Sequence, residues 1–132
     1  MEQKSIYVLE ENRTEAMVMK LAFDKLSDVN LTFFTSGQDV LARLHEKPDV
    51  VICDLMMSGM EGLEFVKKIR RLCPVTQFIV ISSYGFTDVI RELQKVGVFN
   101  FVIRGEHSLR YMKQRLEDLL LVLRADSSVH DA

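Results

Sequence analysis

The chain has no tryptophan, two prolines and two cysteines in 132 residues, and no apolar run nears the roughly 18 residues of a spanning helix. A disulfide-stapled fold is therefore excluded: Cys53 lies inside an apolar strand pattern and Cys73 in a later loop, so both are expected as free thiols. The N-terminus lacks a signal-peptide apolar core, and a cytoplasmic location is the expectation. Charge of one sign is missing too. With 17 basic and 19 acidic residues the net charge is −2, which gives no overall attraction to nucleic acid or a membrane surface.

What is present is organised around Pro48 to Gly62. Val50 to Cys53 is a continuous apolar run, the pattern of a strand buried on both faces in a parallel sheet. Asp54 follows it directly, at the carboxyl edge where open α/β sheets bind ligands. Gly59 and Gly62 turn the chain before a helical pattern begins at Leu63.

Strand and helix patterns alternate five times. Ser5 to Leu9 reads as a strand ending in Glu10-Glu11, and Asn12 is placed to cap a helix whose Ala16, Met17, Met19, Leu21, Ala22 and Leu26 form a broad buried face. Asn30 to Thr35 is a second strand. Ser36-Gly37 opens a helix through Val40, Leu41 and Leu44 that must stop before Pro48. After the third strand come a helix from Leu63 to Leu72, closed by Pro74, and a strand from Gln77 to Ile81 ending in Ser82-Ser83. Thr87 to Val96 is helical up to Gly97, Phe99 to Ile103 is the fifth strand, and Ser108 to Arg124 is a long last helix. Five strands separated by helices imply right-handed crossovers and a parallel sheet covered on both faces. One domain over 1–125 is expected, with a polar tail over 126–132.

The constellation at the strand ends resembles the response-regulator receiver domain of two-component signalling, and the likeness covers essentially the whole chain. Paired acids follow the first strand; Asp54 follows the third, trailed by Met57 and Gly62; Ser82 ends the fourth; Arg104 ends the fifth. The interval from Ser82 to Arg104 matches the family's spacing between its hydroxyl and basic residues, and Phe101 falls on its switch aromatic. The resemblance implies a flavodoxin-like doubly wound α/β fold, a five-stranded parallel sheet of order 2-1-3-4-5. That order makes the first and third strands neighbours, so Glu10, Glu11 and Asp54 converge.

Three converging carboxylates repel one another unless a cation joins them. The resemblance implies Mg²⁺ held by Glu10, Glu11, Asp54 and the Met56 carbonyl, with Asp54 as nucleophile and carrier of an aspartyl phosphate. Ser82 and Arg104 would then hold phosphoryl oxygens, and Ser82 with Phe101 would relay the change to the surface of the fourth and last helices. The partners implied are a histidine kinase or phosphotransfer protein and a downstream protein target, reached as a stand-alone regulator that is not an enzyme in its own right.

The chain departs from the family pattern at four places. Glu10-Glu11 replaces the usual aspartates, Arg104 replaces a lysine, and Gly105 replaces a proline, with Ser58 in place of another. These leave an alternative open: a degenerate pseudo-receiver that acts as a phosphorylation-independent interaction domain. Leu121 and Val122 widen the last helix beyond the face formed by Leu109, Met112, Leu116, Leu119, Leu120 and Leu123, which suggests a homodimer or partner contact. Lys67, Lys68, Arg70 and Arg71 read as a solvated basic face, while His45, His107 and His130 are too scattered for a metal site. Met57 is expected to plug the core and Met56 to help exclude water. A flavodoxin-type flavin carrier is disfavoured because Glu10-Glu11 would repel its phosphate, and a phosphoaspartate hydrolase because its paired aspartates are missing.

Overall fold

The computed structural model describes residues 3–56, 61–83, 85 and 87–131, and of 127–131 the backbone only. In chain order the elements are β1 (Lys4–Leu9), α1 (Arg13–Phe23), β2 (Val29–Phe34), α2 (Gly37–Ala42), a 3₁₀ turn (Leu44–Glu46), β3 (Val50–Asp54), α3 (Gly62–Leu72), β4 (Gln77–Ser82), α4 (Thr87–Lys95), β5 (Phe101–Ile103) and α5 (Ser108–Asp131). The strands form one parallel sheet of order β2-β1-β3-β4-β5, the doubly wound arrangement expected.

Alternation along the strands divides the core into two layers. Tyr7, Leu9, Val51, Cys53, Phe78 and Val80 face α2, α3 and α4, meeting Val40, Phe65, Val66, Ile69 and Leu93. Ile6, Val8, Val50, Ile52, Ile79 and Ile81 face α1 and α5, meeting Met19, Phe23, Met112, Leu116 and Leu120. Arg70 reaches across the first layer's edge. Its Nε donates to the Val96 carbonyl at 2.8 Å and its Nη1 to those of Pro74 and Thr76 at 2.6 and 2.8 Å. The guanidinium also lies 5.1 Å from the Phe78 ring centroid. Arg70 is thus a tie between α3, α4 and β4 and not part of a solvated face, and Lys67 pairs with Glu92.

Four boundaries or faces differ from the sequence reading. Met17 and Leu21 are both 65% exposed, and Phe23, at 0%, takes their place in the core. The second helix ends at Ala42, and Leu44 is carried on the 3₁₀ turn. Pairing of β5 begins with Phe101 opposite Val80, which leaves Phe99 outside the strand and exposed. Finally, α5 runs through Asp131, because nothing after Arg124 is a proline or glycine to stop it. Leu121 and Val122 are exposed on that helix as expected. No helix among the described residues is long and apolar enough to cross a membrane.

Candidate functional site

Parallel register brings the strand ends together. Leu9 lies opposite Cys53 and Asp54 opposite Ile81, so Glu10 leaves β1 beside Asp54 on β3, where the strand order reverses. Ser82 lies opposite Ile103, and the Arg104 N–H donates to the Ser82 carbonyl at 2.8 Å, which carries Arg104 off the end of β5 at the same level. The Leu55 N–H donates to the Ile81 carbonyl, and the Gly62 N–H donates to the Leu55 carbonyl at 3.2 Å.

The guanidinium of Arg104 is the centre of the site. Its Nε and Nη2 both donate to Asp54 Oδ2, at 3.0 and 2.6 Å, and Nη2 donates also to Glu10 Oε1 at 3.2 Å. Nη1 donates to Glu15 Oε2 at 2.8 Å. The other Asp54 oxygen, Oδ1, accepts the Met56 N–H at 2.7 Å. Both carboxylate oxygens of Asp54 are therefore engaged. The cluster is well covered on the sheet side: the side chains of Glu10, Asp54 and Arg104 are 8%, 14% and 26% exposed, and that of Glu15 is half exposed.

Electrostatics follow from this cover. Burial pushes Glu10 up to about 7, with a hydrogen bond shared with Glu15 as the next cause, against the pull of Arg104. Glu15 moves the other way, lowered first by that hydrogen bond and then, against its own burial, by the Arg104 charge. Burial pulls Arg104 down, but hydrogen bonding and attraction to Asp54, and then to Glu10 and Glu15, raise it on balance. Arg104 stays a cation shared by three acids.

A cleft of about 340 Å³ opens over this cluster, lined among others by Glu10, Glu11, Glu15, Asp54, Met56 and Arg104. Of the expected site residues, Glu10, Asp54 and Arg104 are in direct contact. Glu11 is on the exposed rim, and Met56 is exposed beside Asp54 in the lining of the same cleft. Ser82 is buried behind the cleft, whose lining carries Ser83 instead. Phe101 is half-buried against the α3–α4 layer. The expectations for Met57, Ser58 and Gly59 fall outside the described residues. No described peptide bond is cis.

Glu15 was not anticipated. The signal for it was present in the cap: Asn12 Oδ1 accepts the Glu15 N–H at 2.9 Å, which fixes Glu15 in the first turn of α1 over the strand ends. The donor set does not fit a divalent ion in this arrangement. The Glu10 and Asp54 carboxylates that would be its ligands both accept from Arg104 Nη2, at 3.2 and 2.6 Å.

The family model for the response regulator receiver domain matches residues 6–117. Among curated proteins, the transcriptional regulatory protein YesN of Bacillus subtilis is 39% identical over 61 residues, 46% of this chain and 17% of that protein. NtrC of Salmonella typhimurium, a DNA-binding transcriptional regulator, is 27% identical over 103 residues, 77% of this chain and 22% of that protein. The chain thus spans about a fifth of the length of these relatives. A Thermotoga maritima response regulator superposes with a TM-score of 0.75 at 26% identity, covering 89% of this chain and 97% of that one. The chemotaxis protein CheY4 of Vibrio cholerae gives 0.77 at 17% identity, with 89% and 98% covered, a likeness of fold.

Proposed function

Because the chain belongs to the response regulator receiver domain family, we propose that it accepts a phosphoryl group on Asp54 from the phosphoimidazole of a histidine kinase or phosphotransfer protein. Receivers are signalling domains of two-component response regulators rather than enzymes of a classical kind, and they act through contacts with kinases and effectors. The observation that carries the reading for this chain is the placement of Asp54. It ends the central strand, faces an open cleft, and has a cation and a backbone N–H on its two oxygens.

In the proposed transfer an Asp54 oxygen attacks phosphorus, the phosphorus–nitrogen bond of the donor breaks, and the imidazole leaves with the electron pair. Arg104 has five donors, so it can pass from the carboxylate oxygen to a phosphoryl oxygen without losing its charge. Ser82 would turn its hydroxyl toward the same group, and the half-buried Phe101 would follow into the space, altering the α4–β5–α5 surface. Output then runs through protein contacts, with Leu121 and Val122 as the apolar part of a homodimer or target contact.

The second reading, a phosphorylation-independent interaction domain, is favoured by one observation: Arg104 holds Asp54 Oδ2 through two nitrogens and is itself held by Glu10 and Glu15. Incubation with acetyl phosphate, read by intact mass with Asp54→Asn as control, decides between them. Addition of one phosphoryl mass to the wild type alone supports the transfer. An unchanged wild-type mass, with or without Mg²⁺, supports the interaction domain.

A further inference from the structure

We infer that Arg104 is a resident cation that stands in place of the family's divalent metal, and that Glu15 is the positioning residue that holds it there; this rests on reading the Asp54 cleft as the receiver site. The carboxylates that would hold a divalent ion here are those of Glu10 and Asp54. Arg104 Nη2 is already between them, at 3.2 and 2.6 Å. Mg²⁺ needs oxygen ligands at about 2.0–2.1 Å in near-octahedral geometry, so it cannot share that point with a nitrogen donor.

The guanidinium also does what a metal would do for the acids. Its four hydrogen bonds reach three carboxylates, so the repulsion among them is relieved from within the chain. Glu15 completes the arrangement. It enters from α1, a different element from the strands that carry Glu10 and Asp54, and its bond to Nη1 fixes the plane of the guanidinium over Asp54. Without that third contact Arg104 could swing toward solvent and open the Glu10–Asp54 gap to an ion.

The test is metal binding, measured apart from phosphorylation. Melting temperature is followed while MgCl₂ is raised to about 10 mM at constant ionic strength, since a ligand that binds only the folded state raises it. Mn²⁺ titration followed by water proton relaxation is run beside it. The wild type is expected to show no shift and no bound Mn²⁺. Arg104→Ala, which leaves the acids without a cation, is expected to gain a shift of several degrees; if it is unfolded alone, recovery of its helical circular dichroism on adding Mg²⁺ is the same result. Glu15→Gln, which keeps Arg104 and the fold, is expected to fall between the two. A wild-type shift as large as that of Arg104→Ala overturns the resident-cation inference, and a Glu15→Gln response equal to wild type overturns the role of Glu15. Failure of the transfer reading is distinguishable. Asp54 labelled by acetyl phosphate equally in chelator and in Mg²⁺ supports the inference, and labelling only with Mg²⁺ overturns it while leaving Asp54 as acceptor. No labelling in either condition counts against the acceptor, and the metal titration still decides the inference.

Discussion

Replacing Gly62 by alanine tests the contact that holds the Asp54 loop to α3. A Cβ built at Gly62 lies 2.4 Å from the Leu55 Cα, 2.5 Å from its carbonyl oxygen and 2.7 Å from its carbonyl carbon. All three atoms are backbone, so no side chain can rotate away. Ordinary carbon–carbon contact is about 3.5–4.0 Å, and α3 must therefore back off by roughly 1 Å at its first turn. That movement drags on Phe65, Val66 and Ile69, which are fully buried. Overpacking of this kind costs about 1–3 kcal/mol, and the better helix propensity of alanine returns at most about 1 kcal/mol.

A net loss of about 2 kcal/mol is expected for Gly62→Ala, read from urea unfolding as a lower midpoint at unchanged slope. Gly105→Ala is the control, because nothing lies within 4 Å of the place its methyl group would take; its change is expected within about 0.5 kcal/mol. The strain also reaches the site, since Leu55 follows Asp54 directly and the next N–H, that of Met56, holds Oδ1. A Gly62→Ala protein as stable as wild type, or more so, would refute the close approach and with it this account of how the loop is set.

The pH dependence of stability carries the mark of Glu10. Its carboxyl is raised from 4.5 to about 7 in the folded chain, so it stabilises the fold below the lower value and that contribution is lost as pH rises through the higher one, by at most about 3 kcal/mol. Glu15, lowered, acts in the opposite sense at more acid pH. Glu10→Gln should therefore flatten the fall in urea midpoint between pH 5 and pH 8, and an unchanged slope would assign it elsewhere. Arg70→Ala removes three bonds to carbonyls and the contact with Phe78; a loss of about 2–3 kcal/mol in the same assay is expected, and a loss below about 0.5 kcal/mol would return Arg70 to the solvated surface. Asn12→Ala should cost about 1 kcal/mol through the α1 cap. It should also loosen Glu15, so that Mg²⁺ raises its melting temperature slightly where it leaves the wild type unmoved; identical metal responses would separate the cap from the site.

The sheet was legible because its strands are apolar enough to admit little else. Val50 to Cys53 reads as a buried strand from four letters, and Pro48 and Pro74 mark where neighbouring helices cannot continue. Faces of helices were harder. In α1 apolar residues occur nearly all round, so periodicity alone did not separate exposed Met17 and Leu21 from buried Phe23; the sheet beneath decides that. The end of α5 was misplaced for the reverse reason. Polar composition after Arg124 reads as a tail, yet a polar helix with no breaker continues once its first turns are anchored on Leu116 and Leu120. Asp54, Glu10 and Arg104 were legible as strand ends, because parallel register carries such positions to one edge. Glu15 was not, since its partner Arg104 is 89 residues away and only the packing of α1 on the sheet brings them together.

Taken singly, Glu10, Arg104 and Glu15 look like three unrelated side chains of an acidic pocket, but their geometry makes them one unit. A lysine at 104 would end in a compact point charge, able to meet one or two acids near its tip. The guanidinium instead spreads donors over a plane, and here each nitrogen has a separate use: Nε for Asp54, Nη2 for Asp54 and Glu10, Nη1 for Glu15. The longer reach of a glutamate at 10 brings its carboxyl to that plane, and the capped first turn of α1 delivers Glu15 to its far side. Without Arg104 the carboxylates of Glu10 and Asp54 are left under cover with no cation between them, which costs more than the pairs gain. The same coupling keeps Asp54 from its own pocket-mates: its negative charge is answered by a group tethered to β5 rather than by one drawn from solution. Whatever releases Arg104 from Asp54 must therefore bring a negative charge of its own, and a phosphoryl group does.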